Sequence, residues 1–523
     1  MRGDVLNKEA KWGTLLAAWL PAAAVAVLSL VILRNKIPNH DVLFYVYAAE
    51  RLLDGTALYR DLYDHSPPFI FVFAALPVLF ARAFSFSSLI TYDFFVAALG
   101  FSAVLFFDRA AGPHLGYGRT MSRTFVRAGL TAVVLLLPYR DFGQKDHIVF
   151  LLSLPYIAAA IARGGGRNLS AGSLFAAGML LAFGAAIKPF YAVLWGVTEG
   201  FFFFRGKGFR ILSAQNGGLL AGVALSAAVS LPSMRDYFSM MDIHRLCYEG
   251  MKGTAGSILL KRLNGGLAVG LLAAFVPPGA PSARAKELIW LAAAAFWAGM
   301  AFQMKGWSYH YYPYVAAVSF LMVMSLADGL EGFGGTDGKW NAGMVVMAAF
   351  AVLFLSAAAA KAQNVYRVAS SKYWEKETSP LLKWIEENGG KKKIFFLDTS
   401  VTPSIPILYE LKSPASSAFP FLTPLRGLYT LDDFHDGHLD YRRIEDMPAS
   451  ERKFFDRVVR DFVSQDADTL IVRRRAFFHN GHSAPFDYLG YFSQDPDFAR
   501  RLQDYHPAGQ VGDFLLYRKT EAV

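Results

Sequence analysis

Long apolar blocks separated by short charged stretches dominate the first two thirds of the chain. The blocks run Trp12 to Leu33, Phe86 to Phe107, Phe125 to Pro138, Ile148 to Ala162, Leu169 to Ile187, Phe190 to Phe204, Ile211 to Leu231, Ser257 to Val276, Leu288 to Met304, Tyr312 to Ala327 and Asn341 to Ala360. They predict about eleven membrane-crossing helices. Basic residues gather in alternate loops: Arg109, Arg119, Arg123 and Arg127 in one, Arg163 and Arg167 in the next, then Arg205, Lys207 and Arg210, then Arg284 and Lys286. The positive-inside rule puts all four loops on the cytoplasmic side together with the N-terminus. That parity requires the further apolar stretch Pro67 to Phe84 not to cross fully, so it is read as a juxtamembrane or re-entrant helix packed against protein. The segments left on the outer face are Arg34 to Ser66, Tyr139 to His147, the neighbourhood of Lys188, Pro232 to Gly256, Lys305 to Tyr311, and everything after Lys361.

From Lys361 onward the pattern becomes that of a soluble fold. Ser379 to Asn388 reads as a helix stopped by Gly389 and Gly390, and a strand follows at Ile394 to Leu397. Phe454, Phe455, Val458, Val459 and Phe462 recur at helical spacing before a short strand at Thr469 to Val472. The expected organisation is a transmembrane domain over residues 1–360 and an extracytoplasmic α/β domain over residues 361–523.

Composition agrees with this reading and removes others. Hydrophobic residues make up 54% of the 523 residues, in blocks that a soluble domain could not bury. The net charge of +10 is scattered between those blocks, where it orients helices, so nucleic acid is set aside as a partner. Cys247 is the one cysteine, which excludes an internal disulfide framework and a cysteine zinc cluster. The first apolar block lacks a clear cleavage site and is read as a retained helix.

The chemically informative residues fall in the outer segments. Ile37 to Phe69 reads IPNHDVLFYVYAAERLLDGTALYRDLYDHSPPF: an acid, an amphipathic helix, a glycine turn and a Pro-Pro start. Asp41 can serve as N-cap of a helix from Val42 to Asp54, with Gly55 closing it, and capping does not exclude catalysis. This block resembles the first outer loop of GT-C fold glycosyltransferases of the family 39 type, the superfamily of protein O-mannosyltransferases and aminoarabinose transferases. In that pattern an Asp opens the helix, a Gly-x-x-x-Tyr element follows and a proline turn leads into the membrane. Asp41, Gly55 to Tyr59, and Pro67 with Pro68 match those parts, while Val42 stands where the commonest version has Glu.

The second outer segment, YRDFGQKDH from Tyr139 to His147, sets Arg140, Asp141, Lys145, Asp146 and His147 between two apolar blocks. It is either an interfacial loop facing water and headgroups or, as the resemblance implies, the place of a second acid, Asp141 or Asp146. Lys188, followed by the helix breaker Pro189, either snorkels to the interface or faces a cavity, since an unpaired ammonium is expensive there. By resemblance Lys188 binds the donor phosphate, and Arg140 and His310 are the further candidate phosphate ligands. The aromatic run Gly306 to Tyr314 reads as an interfacial belt, which leaves His310 less explained. Lys145, His147, Tyr59 and Tyr311 are the expected substrate-lining residues. Pro232 to Gly256 is treated as a solvated or substrate-lining loop. The His-x-x-His spacings in Asp432 to Asp440 and His479 to His482 are taken as incidental, so no metal ligands are assigned.

The resemblance implies an inverting transfer of a sugar from a polyprenyl-phosphate donor to a lipid, polysaccharide or protein acceptor on the outer face of the inner membrane, in cell-envelope polysaccharide biosynthesis. Asp41 would act as base and the cations would take the leaving phosphate. No cofactor is assigned, and a divalent metal is left open because no dedicated cage is visible. A polyprenyl-linked oligosaccharide polymerase or ligase would be expected to rely on arginines and a His in a large outer loop. A transporter or flippase would show mid-helix charges in two related halves, and no such halves are seen.

Overall fold

The structure, a computed structural model, describes residues 18–32, 39–206, 212–254, 256, 282–305, 307–332, 376–388, 393–429, 433–435, 438–478 and 483–520. Contacts divide the chain into two compact units, one of Met1–Ile37, Ile90–Ala228 and Thr254–Gln363, the other of Pro38–Leu89, Val229–Gly253 and Asn364–Val523. The expected boundary at residues 360/361 lies outside the described residues, as do the expected spans Ser257 to Val276 and Asn341 to Ala360 and the segment His479 to His482.

Among the described residues, five helices are long and apolar enough to cross a bilayer: Ser88–Ala110, Lys145–Gly164, Ala214–Ser239, Ala283–Gln303 and Tyr309–Glu331. The chain is a multi-pass membrane protein. Shorter apolar helices occupy Ala18–Ile32, Phe69–Phe84, Ala171–Ile187 and Pro189–Phe204, and Thr120–Leu135 is a 16-residue helix. Of the about eleven expected spans, five are thus long and apolar enough among the described residues, others are shorter apolar helices, and the count of eleven is not confirmed. Pro189 opens a 3-10 turn, Pro189–Ala192, ahead of the helix Val193–Phe204.

In the first unit, the helix Lys145–Gly164 is apolar around its circumference and its hydrophobic window is 94% buried, against 22% for Ala214–Ser239. A helix apolar on every face belongs in an interior, and this one packs against Ala171–Ile187, Ala283–Gln303 and Tyr312–Gly332. Ala171–Ile187 and Ala214–Ser239 meet through glycines. A Cβ on Gly178 would stand 1.9 Å from the Gln215 carbonyl oxygen, and one on Gly218 the same 1.9 Å from that of Phe175. Apolar surface gains little from helix contact in lipid, so small residues that let backbones approach make such contacts.

In the second unit a mixed sheet orders its strands Ile394–Leu397, Thr469–Arg473, Phe514–Lys519, Tyr505–Val511. The first pair is parallel, with Ile394 opposite Thr469, and the others are antiparallel. A parallel pair needs a crossover, and the helix Ala449–Ser464 lies within that connection. Its Phe454, Phe455, Val458, Val459 and Phe462 are buried, and the Phe462 ring meets Phe395 of the first strand at 5.1 Å.

The segment Pro232 to Gly256 is not a loop. The helix Ala214–Ser239 runs through Pro232, and Met241–Glu249 forms a second helix that buries Ile243, His244 and Cys247. The correction has a simple cause: Ile243 and Cys247 at i, i+4 mark one apolar face, and the mixed charges occupy the other.

Candidate functional site

The second outer segment also differs from the expected loop. A 3-10 turn covers Tyr139–Asp141, and the helix Lys145–Gly164 starts four residues later with Gln144 as N-cap. Lys145, Asp146 and His147 are therefore its first turn, and all three are buried. A carboxylate is favoured there by the exposed N–H groups and the positive end of the helix dipole.

Lys188 reaches this acid from another helix end. The residue before a proline is pushed out of the helical region, and Lys188, with φ −140° and ψ 97°, ends the helix Ala171–Ile187. Its Nζ donates to Asp146 Oδ2 at 2.6 Å and to Gln303 Oε1 at 2.7 Å. Tyr191 Oη, in the turn that Pro189 begins, donates to Asp146 Oδ1 at 2.7 Å. Gln303 is held in turn by its Nε2, which donates to the Gly299 carbonyl at 3.0 Å. The Lys188 and Asp146 side chains are 10% and 0% exposed, so an interior charge pair has replaced the snorkelling cation. Lys188 also lies 5.5 Å from the Tyr309 ring centroid. His310 is close by: its carbonyl accepts from Tyr191 Oη at 3.4 Å, and its ring stacks on Trp307 at 5.9 Å.

Tyr191 and Gln303 carry no sequence motif. The available signal is a polar residue closing an apolar helix, AFQ before Met304, and a tyrosine three residues after a Lys-Pro break.

The other expected residues of this unit separate into two groups. Arg140 is exposed and Asp141 partly so. His147 lies inside, where Nδ1 accepts from the Gly143 N–H at 3.0 Å and Nε2 donates to the Val134 carbonyl at 2.8 Å. Tyr311 packs in a cluster with Met300, Trp297, Met304 and Val315. Both are placed by folding contacts instead of lining an open surface.

In the second unit, Asp41 occupies the first turn of the helix His40–Leu53, and the N-cap is Asn39, whose side chain accepts from the Asp41 N–H at 2.9 Å. The cap reading of Asp41 is corrected accordingly. Its carboxylate is 21% exposed, and Oδ1 lies 3.5 Å from His40 Nε2. The helix ends at Leu53, and Gly55 follows at φ 89°, where a side chain would be strained. Tyr59 is buried, and its Oη donates to the Ser66 carbonyl at 2.6 Å. Nearby, Tyr63 Oη bonds His244 Nδ1 at 3.0 Å while His244 Nε2 donates to the Tyr237 carbonyl at 3.0 Å. Burial holds the His244 imidazole at about 4, well below its ordinary value. Among the described residues no three His, Cys, Asp or Glu side chains gather as a metal-ligand group.

No family model matches the sequence, and no curated protein matches it by sequence. Solved structures do match by fold. ArnT from Cupriavidus metallidurans bound to undecaprenyl phosphate matches with TM-score 0.56 and 11% identity, over 97% of this chain and 98% of that one. The apo structure of the same ArnT matches with TM-score 0.52 and 12% identity over the same shares. An archaeal oligosaccharyltransferase, AglB from Archaeoglobus fulgidus, matches with TM-score 0.44 and 13% identity, over 86% of this chain and 69% of that one. The agreement with ArnT runs along nearly the whole length of both chains, and the protein has the GT-C fold.

Proposed function

We propose that the protein is an inverting glycosyltransferase that takes a sugar from a polyprenyl-phosphate donor to a lipid, glycan or protein acceptor on the outer face of the inner membrane. The observation that carries this reading is the full-length likeness to ArnT, a protein crystallised with undecaprenyl phosphate. In this reading the N-terminus is cytoplasmic, residues 1–360 form the membrane domain and residues 361–523 lie outside.

A sugar on a polyprenyl phosphate already has a good leaving group, so the reaction needs a base for the acceptor and a cation for the departing phosphate. Asp41 takes the proton from the acceptor hydroxyl, whose oxygen forms the new bond to the anomeric carbon. The bond from that carbon to the phosphate oxygen breaks on the opposite face, which inverts the configuration. Lys188 receives the negative charge of the polyprenyl phosphate, with Arg140 and His310 as further phosphate ligands. Asp146 is assigned a positioning role, because its two oxygens are bonded to Lys188 and Tyr191. Asp141 is then the second acid that orients sugar or acceptor.

The test is transfer of radiolabelled sugar from polyprenyl phosphate in membranes carrying equal folded amounts of wild type or Asp41→Asn. A loss of about a hundredfold or more is the range for a general base. Full activity in the variant would remove Asp41 from the mechanism, and no transfer by the wild type from a panel of donors would remove the glycosyl-transfer reading.

A further inference from the structure

We infer that a polar cavity in the second unit is a saccharide subsite that holds one uncharged sugar ring of the acceptor. Only its assignment to the acceptor rests on the glycosyl-transfer reading.

The cavity has a volume of about 200 Å³. Drug-sized pockets begin at about 300 Å³, so this one suits a single ring. Tyr47 and Arg51 line it from one face of the helix His40–Leu53, Asp61 from the loop after it, Ser416 from the chain before the 3-10 turn Thr423–Gly427, and Arg457 and Asp461 from the helix Ala449–Ser464.

Each charge around it already has an opposite partner. Arg51 Nη2 meets Asp54 Oδ2 at 2.9 Å, Arg457 Nε meets Asp461 Oδ1 at 2.8 Å, and Arg60 Nε meets Asp61 Oδ1 at 3.2 Å. A phosphate or carboxylate would compete with those carboxylates, whereas a neutral polyol would not. Two wall residues carry buried polar atoms that the protein leaves without hydrogen-bond partners, Arg51 Nε and Ser416 Oγ. Such atoms are uncommon because burying them unpaired is costly. One is a donor, and the other both donates and accepts. Neighbouring sugar hydroxyls supply both complements.

Arg51 lies ten residues beyond Asp41 on the same helix, about 15 Å along its axis at the α-helical rise. An acceptor that engages both must therefore be longer than one ring, which points to an oligosaccharide or a glycan chain.

The test is saturation-transfer NMR on the full-length protein in phosphatidylcholine nanodiscs, with the methyl α-pyranosides of glucose, mannose and galactose and with inorganic phosphate as competitor. At least one glycoside should receive saturation at millimolar concentration, unaffected by phosphate. The effect should persist in Asp41→Asn and fall at least tenfold in Ser416→Phe, which fills the cavity. Arg51→Met should show the same loss and decides the matter if Ser416→Phe does not fold. Saturation of no glycoside, saturation retained in either folded variant, or displacement by phosphate overturns the subsite. Glycoside binding by a wild type that transfers from no donor would leave the subsite standing and remove the acceptor assignment.

Discussion

Two buried cations, one in each unit, are neutralised in different ways. Arg473, at the end of a sheet strand, is gripped by three carboxylates: Nη2 by Glu377 at 2.8 Å, Nη1 by Asp398 at 3.3 Å and Nε by Asp513 at 3.6 Å. Lys188 meets Asp146 and, at 2.7 Å, the neutral amide of Gln303. A guanidinium hydrogen-bonded through both Nη atoms has fixed geometry, while an ammonium on a four-carbon stem is a point charge with rotatable donors. The first arrangement is suited to holding a fold together. In the proposed mechanism the second would exchange an amide oxygen for a phosphate oxygen while keeping its carboxylate.

The strongest break of this comparison is Lys188→Met. Leaving Asp146 buried without its cation should cost about 3–5 kcal/mol of stability, and transfer per folded molecule should fall about 10²–10³-fold, the scale of a lost transition-state electrostatic contact. Lys188→Met with Asp146→Leu should recover the stability and none of the transfer. Denaturation in nanodiscs alongside sugar transfer reads both, and a double variant with wild-type transfer would end the assignment of Lys188.

Arg473→Met should destabilise to a similar or smaller extent, about 3 kcal/mol, by stranding its acids. Transfer per folded molecule should stay unchanged, and a selective loss of transfer would show that the two cations are not so different.

The smallest effect concerns His244, buried in neutral form beside Tyr63. Its folded value of about 4 lies below its ordinary 6.5, so its contribution is present above pH 6.5 and is lost as pH falls toward 4, where the unfolded chain binds the proton first. His244→Phe should flatten that part of the stability profile, and an unchanged wild-type slope in the variant would contradict the burial argument.

The sheet strand Ile394–Leu397 and the helix faces around Phe454 were legible because their signals are local and periodic. The pairing of Lys188 was not, since Asp146 lies 42 residues and Gln303 115 residues away in sequence. The side chains hinted that a lysine beside Pro189 needs a partner, and they could not name it. At Asn39-His40-Asp41 the difficulty was different: two good capping residues stand two positions apart, within the normal uncertainty of a helix boundary. Backbone geometry decides between them and gives the cap to Asn39. The charged run Lys145-Asp146-His147 after Gly143 misled for a third reason, because charged residues in a first helical turn look the same in sequence as charged residues in a loop.

The glycine contact between Ala171–Ile187 and Ala214–Ser239 also bears on the lysine. Gly178 sits ten residues before Lys188, about 15 Å along the helix, and its backbone is pressed against that of the neighbour. Interlocked backbones have no smooth side-chain layer over which to slide, so the two helices behave like a rack and its stop. The depth at which the ammonium is presented is thereby fixed by residues that have no side chain at all, and a single added methyl at Gly178 would move the charge without touching it.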